Sequence, residues 1–556
     1  MMAAGPGSGP MERAVLMSRR SGLQAAAWGG LAAWAGTWRP VFAQAGPSEP
    51  LAQPLTAQER AVHALCRLSY GPRSADLAAL QRLGAEAWLE SFLATQLRGS
   101  AGGQVLPEAV QVRLQGLDTV SLSQAALLQR YQEARRLARL DKAGDAAAKG
   151  TENGASNGAS NGAAGVVSAQ EARRELVRPI LAQAAEQRLL RALHSSAQLE
   201  EQLLEFWFNH FNVFAGKGPV AALVGSYERE AIRPHIWGRF RQMLGATAKH
   251  PAMLFYLDNA QSVAPAFRPP ARLGDEQVAR PRGLNENYAR ELMELHTLGV
   301  DGGYSQADVT ELARMLTGWT VDVRGALGRQ GSGDLFEFAP RRHDNGSKQW
   351  LGRPVTARGQ AEGEWALDVL ASHPATARHL SFKLAQAFVA DEPPEALVAQ
   401  LSHSFLASGG DLRAWVQTLL GSEHFWQREH LRSKFKTPYQ FLLSSLRVLD
   451  AQPQDMQPLL GALAQSGMPL YGAATPDGYK NLASAWMNPE ALSQRVQWLS
   501  RLNERTAGVE RASRQGGSLL KTLAPLLGEH TRSVLAQEPA ELQLSLMLGS
   551  PEWMRR

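Results

Sequence analysis

Apolar residues recur along most of the chain at the spacing that gives a helix one buried face. Thr56-Ala57-Gln58-Glu59 reads as a capping box opening a helix that runs through Leu68, before Gly71-Pro72 stops it. Leu199, Leu203, Phe206, Trp207, His210 and Phe214 fall on one stripe, and Tyr227–Leu257 continues the helical pattern until Asp258-Asn259. The densest stretch is Gly283–Thr320. There a helix over Asn285–Leu298 is expected to end at Gly299, and a second begins at Ser305 with Asp308 three residues on. Leu335–Phe338 and Gln349–Leu351 flank Asp344-Asn345-Gly346, the one hairpin signal. Helices resume at Trp365, at His373-Pro374-Ala375 and after Pro393-Pro394. The pattern predicts a mainly α, multi-helical globular domain with one small β-hairpin near residues 335–352.

Residues 142–167 break this pattern. Asn153-Gly154-Ala155-Ser156 repeats as Asn157-Gly158-Ala159-Ser160, a tract with nothing to bury and the composition of a disordered insertion. It separates an N-terminal helical region, 46–141, from a central helical region, 168–330; a hairpin and C-terminal helical region spans 331–556.

The first 45 residues have the form of an export signal. Arg13, Arg19 and Arg20 precede a moderately apolar run, Leu23–Trp38, and Ala43-Gln44-Ala45 is a small-x-small cleavage pattern. Ser18–Gln24 is similar to the twin-arginine signal but lacks its usual phenylalanine at Gly22 and lysine at Gln24, so the general secretory route also stays open. A periplasmic or extracellular location after signal removal is the expectation, with no transmembrane helix in the mature chain.

Composition adds limits. The 556 residues are 44% hydrophobic and 20% charged, ordinary for a soluble protein with a sizeable core. The net charge of +6 is spread along the chain, which argues for no nucleic-acid partner. Cys66 is the only cysteine, so neither an intramolecular disulfide nor a cysteine-based metal site can form. No phosphate loop, dinucleotide fingerprint, His-Glu-x-x-His motif or nucleophile elbow is present.

Candidate chemistry concentrates on Asn285–Leu298. On a helical wheel Tyr288, Leu292 and Leu295 define the buried stripe, with Asn287, Glu291 and Glu294 on one flank and Asn285 and His296 on the other. Glu286, Arg290 and Glu294 stand at ion-pair spacing. Glu291 and His296 lie about 140° apart, so this helix alone cannot aim both at one metal ion. His210, on its own apolar stripe, is the best second element. Its plainer role is a core histidine hydrogen-bonded to a carbonyl. The candidate catalytic residues are thus His210, Glu291, His296 and Asn287; a divalent metal, on His210, Glu291 and Glu294, is the candidate cofactor. The alternative is a Glu–Arg clamp between helices.

The segments FWFNHFNVF (Phe206–Phe214), PAMLFYLDNAQS (Pro251–Ser262), Gly283–Thr320, HPATARHLSFKLAQAFV (His373–Val389) and Pro476–Tyr479 resemble the bacterial family known as domain of unknown function 1800. The resemblance implies an exported, mainly helical protein. It also implies a neighbouring exported partner of the family known as domain of unknown function 1501, which is similar to alkaline phosphatases and sulfatases. It supplies no established activity. Two functions follow: an exported metal-assisted hydrolase or other enzyme acting on a cell-envelope or extracellular substrate, or a non-catalytic exported partner or scaffold for a sulfatase- or phosphatase-like companion.

Overall fold

Helix starts follow local capping chemistry. Thr56 accepts from the Glu59 N–H at 3.2 Å while Glu59 accepts from the Thr56 N–H at 2.8 Å, which fixes the start of α1 (Ala57–Leu68). A computed structural model describes residues 54–102, 106–151, 175–268, 283–322, 334–505, 523 and 527–556. The export segment, most of the Asn/Gly/Ala/Ser tract and residues 269–282 lie outside them.

The N-terminal helices after α1 are α2 (Ser74–Leu83), α3 (Ala85–Arg98), α4 (Glu108–Gln115) and α5 (Gln124–Thr151). The central ones are α6 (Arg178–His194), α7 (Gln198–His210), α8 (Val220–Ser226), α9 (Phe240–Lys249), α10 (Pro251–Tyr256), α11 (Asn287–Glu294) and α12 (Gln306–Met315). Four short strands follow: β1 (Trp319–Val321), β2 (Phe336–Phe338), β3 (Gln349–Trp350) and β4 (Arg353–Pro354). Then come α13 (Gln360–Ala371), α14 (Pro374–Phe388), α15 (Glu395–Ala407), α16 (Leu412–Gly421), α17 (Pro438–Val448) and α18 (Gln457–Gln465). The described helices end with α19 (Ala483–Trp486), α20 (Pro489–Arg505), α21 (Glu529–Gln537) and α22 (Ala540–Gly549). The fold is mainly α, as the apolar periodicity predicts.

The strands pair differently from the expectation. β2 pairs antiparallel with β1, Thr320 opposite Glu337, and the small hairpin is β3–β4. Its two-residue turn is Leu351-Gly352, both at positive φ (48° and 71°), the conformation that matches strand twist. Asp344-Asn345-Gly346 makes a turn of another kind. Asp344 accepts from the Gly346 N–H at 2.9 Å and from Arg314 Nε at 2.8 Å, docking the loop on α12. The pattern over Tyr227–Leu257 also breaks. A π turn, Tyr227–Ile232, and a 3₁₀ turn at Arg233–His235 precede α9, and His250 Nδ1 accepts from the Ala252 N–H to open α10. Pro234 and Pro251 lack the N–H that a continuous helix needs.

Leu55–Arg556 form one compact unit, and one hydrophobic cluster runs through it from Ala61 to Met554, with Trp207, Trp319, Trp350 and Trp415 fully buried. α14 packs along α15, α15 on α16, α1 on α3, and α7 on α3 and α6. Arg67 of α1 is fully buried, and no Asp or Glu side chain lies within 4 Å of it among the described residues. Its guanidinium donates at 2.8 Å to the carbonyls of Phe388, Val389, His430 and Arg556. Among the described residues, no helix is long and apolar enough to cross a membrane.

A buried ion pair anchors the strand region to α13. Lys348 Nζ lies 2.8 Å from Glu362 Oε2, with side chains 1% and 2% exposed, and His343 Nε2 faces Glu362 Oε1 at 3.4 Å. His343 Nδ1 donates to the Thr317 carbonyl at 2.8 Å. Removing one charge strands the other in the interior. Glu362→Ala is expected to lower stability by about 3–5 kcal/mol in urea unfolding. Combining Glu362→Leu with Lys348→Met should recover most of that loss.

Candidate functional site

The site begins where α11 ends. The helix stops at Glu294, a turn earlier than its apolar pattern predicts, because the chain switches to wider bonds. The His296 N–H reaches the Glu291 carbonyl (3.0 Å) and the Gly299 N–H the Met293 carbonyl (3.2 Å). The carbonyls thereby left over point into the core and are capped one by one. Thr297 Oγ1 donates to Leu292 (2.6 Å), His379 Nε2 to Leu295 (3.2 Å) and His210 Nε2 to His296 (3.1 Å). Gly299 takes φ 84°, and a Cβ there would lie 3.0 Å from His379 Nδ1, so only glycine leaves room for that ring.

His210 and His296 therefore do meet, with ring centroids 6.1 Å apart, and His379 joins them at 6.3 Å from His210. Carbonyls only accept, so His210 and His379 carry their proton on Nε2. His210 Nδ1 and His296 Nε2 are buried without a hydrogen-bond partner. Burial lowers all three pKa values, and the Lys383 charge adds to this: His210 falls well below its ordinary value, His296 to about 3 and His379 to about 4.

The acidic flank of α11 stays outside this group. Glu291 is half-buried, and burial followed by Glu294 raises its pKa. Its nearest charges are Glu294, Arg290 and Asp477, not a histidine. Arg290 pairs with Glu286 at 3.3 Å, the surface pair that the i,i+4 spacing predicts. Asn287 is exposed; its N–H is taken by Asn285 Oδ1 at 2.9 Å. The expected ligand set of His210, Glu291 and Glu294 does not converge: among the described residues, no three His, Cys, Asp or Glu side chains are disposed to hold a metal ion. His210 Nε2 is spent on the His296 carbonyl at the end of α11, while Glu291 and Glu294 stand within the helix itself.

What the structure adds is a cleft beside the histidines, with about 940 Å³ of atom-free space, part of it open to solvent. α7 contributes Gln202, Glu205, Asn209 and His210, and α14 contributes Lys383 and Gln386. The far wall is Tyr439, Met468–Tyr471 and Tyr479–Asn481, with Arg556 alongside. Asn209 holds that wall in place by accepting from the Tyr479 N–H (2.7 Å) and donating to the Tyr479 carbonyl (2.8 Å). Gly478, at φ 68°, permits this approach, since a Cβ would come within 2.5 Å of the Asn209 carbonyl. Asn212 adds bonds to the carbonyls of Ala473 and Thr475.

Two cleft residues carry chemistry that the sequence pattern does not single out. Lys383 has its pKa pulled down to about 8 by burial, and among the described residues no carboxylate lies within 4 Å of it. Glu205 has its pKa raised by burial; it accepts from Tyr70 Oη at 3.0 Å and from Gln440 Nε2 at 3.4 Å. The available signals were positional: Lys383 stands one turn beyond His379, and Glu205 one turn before Asn209.

The buried imidazoles make stability depend on pH. His296, His379 and His250 have folded values of about 3, 4 and 3 against an ordinary 6.5. The unfolded chain binds the extra protons, so their contribution is complete above about 6.5 and is lost as pH falls from there through the folded values, at about 1.4 kcal/mol per pH unit for each group. Urea unfolding between pH 7 and 4 should show this slope. His379→Gln, which keeps a donor for Leu295, should flatten it.

A family model described as a protein of unknown function, DUF1800, matches residues 63–555. The matched span takes in α7, α11, α14 and every lining residue of the cleft but Arg556. No curated protein and no solved structure matches the chain. With nearly the whole compact unit covered, the chain belongs to the DUF1800 family.

Proposed function

We propose that this chain is exported and acts at the cell envelope or outside the cell, binding a small anionic, partly apolar molecule in the cleft at Lys383. One observation carries the reading. Lys383 is a half-buried amine beside three neutral imidazoles; the Asp477 charge favours its protonated form, but no carboxylate lies within 4 Å of it among the described residues. Around α7 other charges are matched: Glu201 on that helix takes a bidentate bond from Arg233 (2.8 and 3.0 Å), and Glu228 of the π turn pairs with Arg188 of α6 at 3.3 Å. A buried charge left unmatched destabilises the fold, and an anionic ligand supplies the missing partner. Catalysis in this reading is proton transfer. Lys383, near half-protonation at about pH 8, and Glu205, with its raised pKa, border the same space and differ in charge.

The test follows from the cost of that charge. Lys383→Met should raise the melting temperature, equivalent to about 1–3 kcal/mol at neutral pH, while abolishing binding of organic acids. Peptide-resolved acylation of the wild-type amine should show a midpoint near pH 8. A midpoint above about 10, the range of exposed lysines, would remove the reading's support. The partner role gains ground if a sulfatase-like exported protein co-purifies equally with the wild type and with Lys383→Met.

A further inference from the structure

The inner end of the cleft has a second set of unmatched groups, on α7 one to two turns before His210. Gln202 Oε1 accepts from Arg556 Nη1 at 2.9 Å. Since a guanidinium only donates, this bond fixes the orientation of the amide and leaves Gln202 Nε2 as a donor. That Nε2 is buried and has no acceptor, and Arg556 Nε is in the same condition. Gln202 is 3% exposed and borders the cleft. One turn along the same face stands Glu205, whose carboxylate receives only Tyr70 Oη and a long bond from Gln440, with acceptor positions to spare.

These groups select a ligand. An apolar group there would leave the Gln202 donor unpaired, and a second carboxylate would be repelled by Glu205. A hydroxyl accepts from Gln202 and donates to Glu205 at once. Gln202 to His210 spans about 12 Å along the helix axis, the scale of a short oligosaccharide rather than of a single small anion. Tyr479 lines the same space with a surface suited to the C–H face of a sugar ring, while the Arg188 guanidinium lies over the Tyr439 and Tyr471 rings.

We propose that the cleft takes a sugar acid of about two rings, its carboxylate on Lys383 and a ring hydroxyl bridging Gln202 and Glu205. This rests on the anion-binding assignment of Lys383 and adds a substrate class to it. Titration calorimetry of the full chain with digalacturonate, cellobiose, hexanoate and acetyl-glutamyl-glutamate tests it. Digalacturonate should bind at least tenfold more tightly than the other three. Glu205→Gln should remove that preference at unchanged melting temperature, Gln202→Leu should remove it at a lowered one because Arg556 Nη1 loses its acceptor, and Lys383→Met should abolish binding. Equal or tighter binding of hexanoate, insensitive to Gln202→Leu, overturns the sugar-acid assignment and leaves Lys383 as an anion site. Tighter binding of the acidic dipeptide overturns it in favour of a peptide. No binding of digalacturonate overturns it outright, and a Lys383 amine that titrates above about pH 10 shows that the underlying anion site has failed as well.

Discussion

Backbone carbonyls at the end of a helix cannot be left bare in an apolar interior, and that constraint arranges the centre of this protein. α11 runs into the core and ends there, with Leu292, Leu295 and His296 needing donors. Thr297 satisfies the first locally. The other two draw in His379 from α14 and His210 from α7, which ties three helices together at one point. α7 and α14 are then held with a gap between them, and that gap is the cleft. His210, the candidate ligand, has a structural task first: like His379 it is a neutral donor that allows a helix to stop where water is absent.

Polar groups around that point fall into two populations. Most are fully matched, as in the run from Arg233 through Glu201 and Glu228 to Arg188, where Tyr471 also donates to Glu228 at 2.9 Å. A smaller set is not: Lys383, Glu205 and Gln202 Nε2 all border the cleft. Buried groups of this kind lower stability unless something outside the chain completes them. Unpaired buried atoms occur elsewhere too, Trp319 Nε1 and Trp350 Nε1 among them, but Gln202 Nε2 and His210 Nδ1 stand beside a cleft whose wall is held by Asn209 and Gly478.

Local chemistry was readable in the sequence and long-range chemistry was not. Thr56 with Glu59, and Ser305 with Asp308, cap their helices as their spacing predicts, because every partner is within four residues. The Asp-Asn-Gly turn was visible, yet its use depended on Arg314, thirty positions away, which made it a docking loop rather than the hairpin tip. His210 could be placed on an apolar face, but its partner is a carbonyl at residue 296, and no periodicity reveals a carbonyl left over by an early helix end. Lys383 and Glu205 were harder still. A lysine or glutamate on an amphipathic helix usually points to solvent, and only neighbours from remote segments show that these two do not.

Arg67 has a consequence for how such a chain is made. Its guanidinium binds carbonyls at residues 388, 389, 430 and 556, some 320 to 490 positions further along, so α1 has no complete environment until the last of them has been synthesised. Arg556 also forms part of the cleft's inner end. The early helices therefore stay partly assembled until these distant segments are in place, and the cleft takes its form only with them. A chain built this way leaves the apolar face of its first helices uncovered for as long as those distant partners are missing.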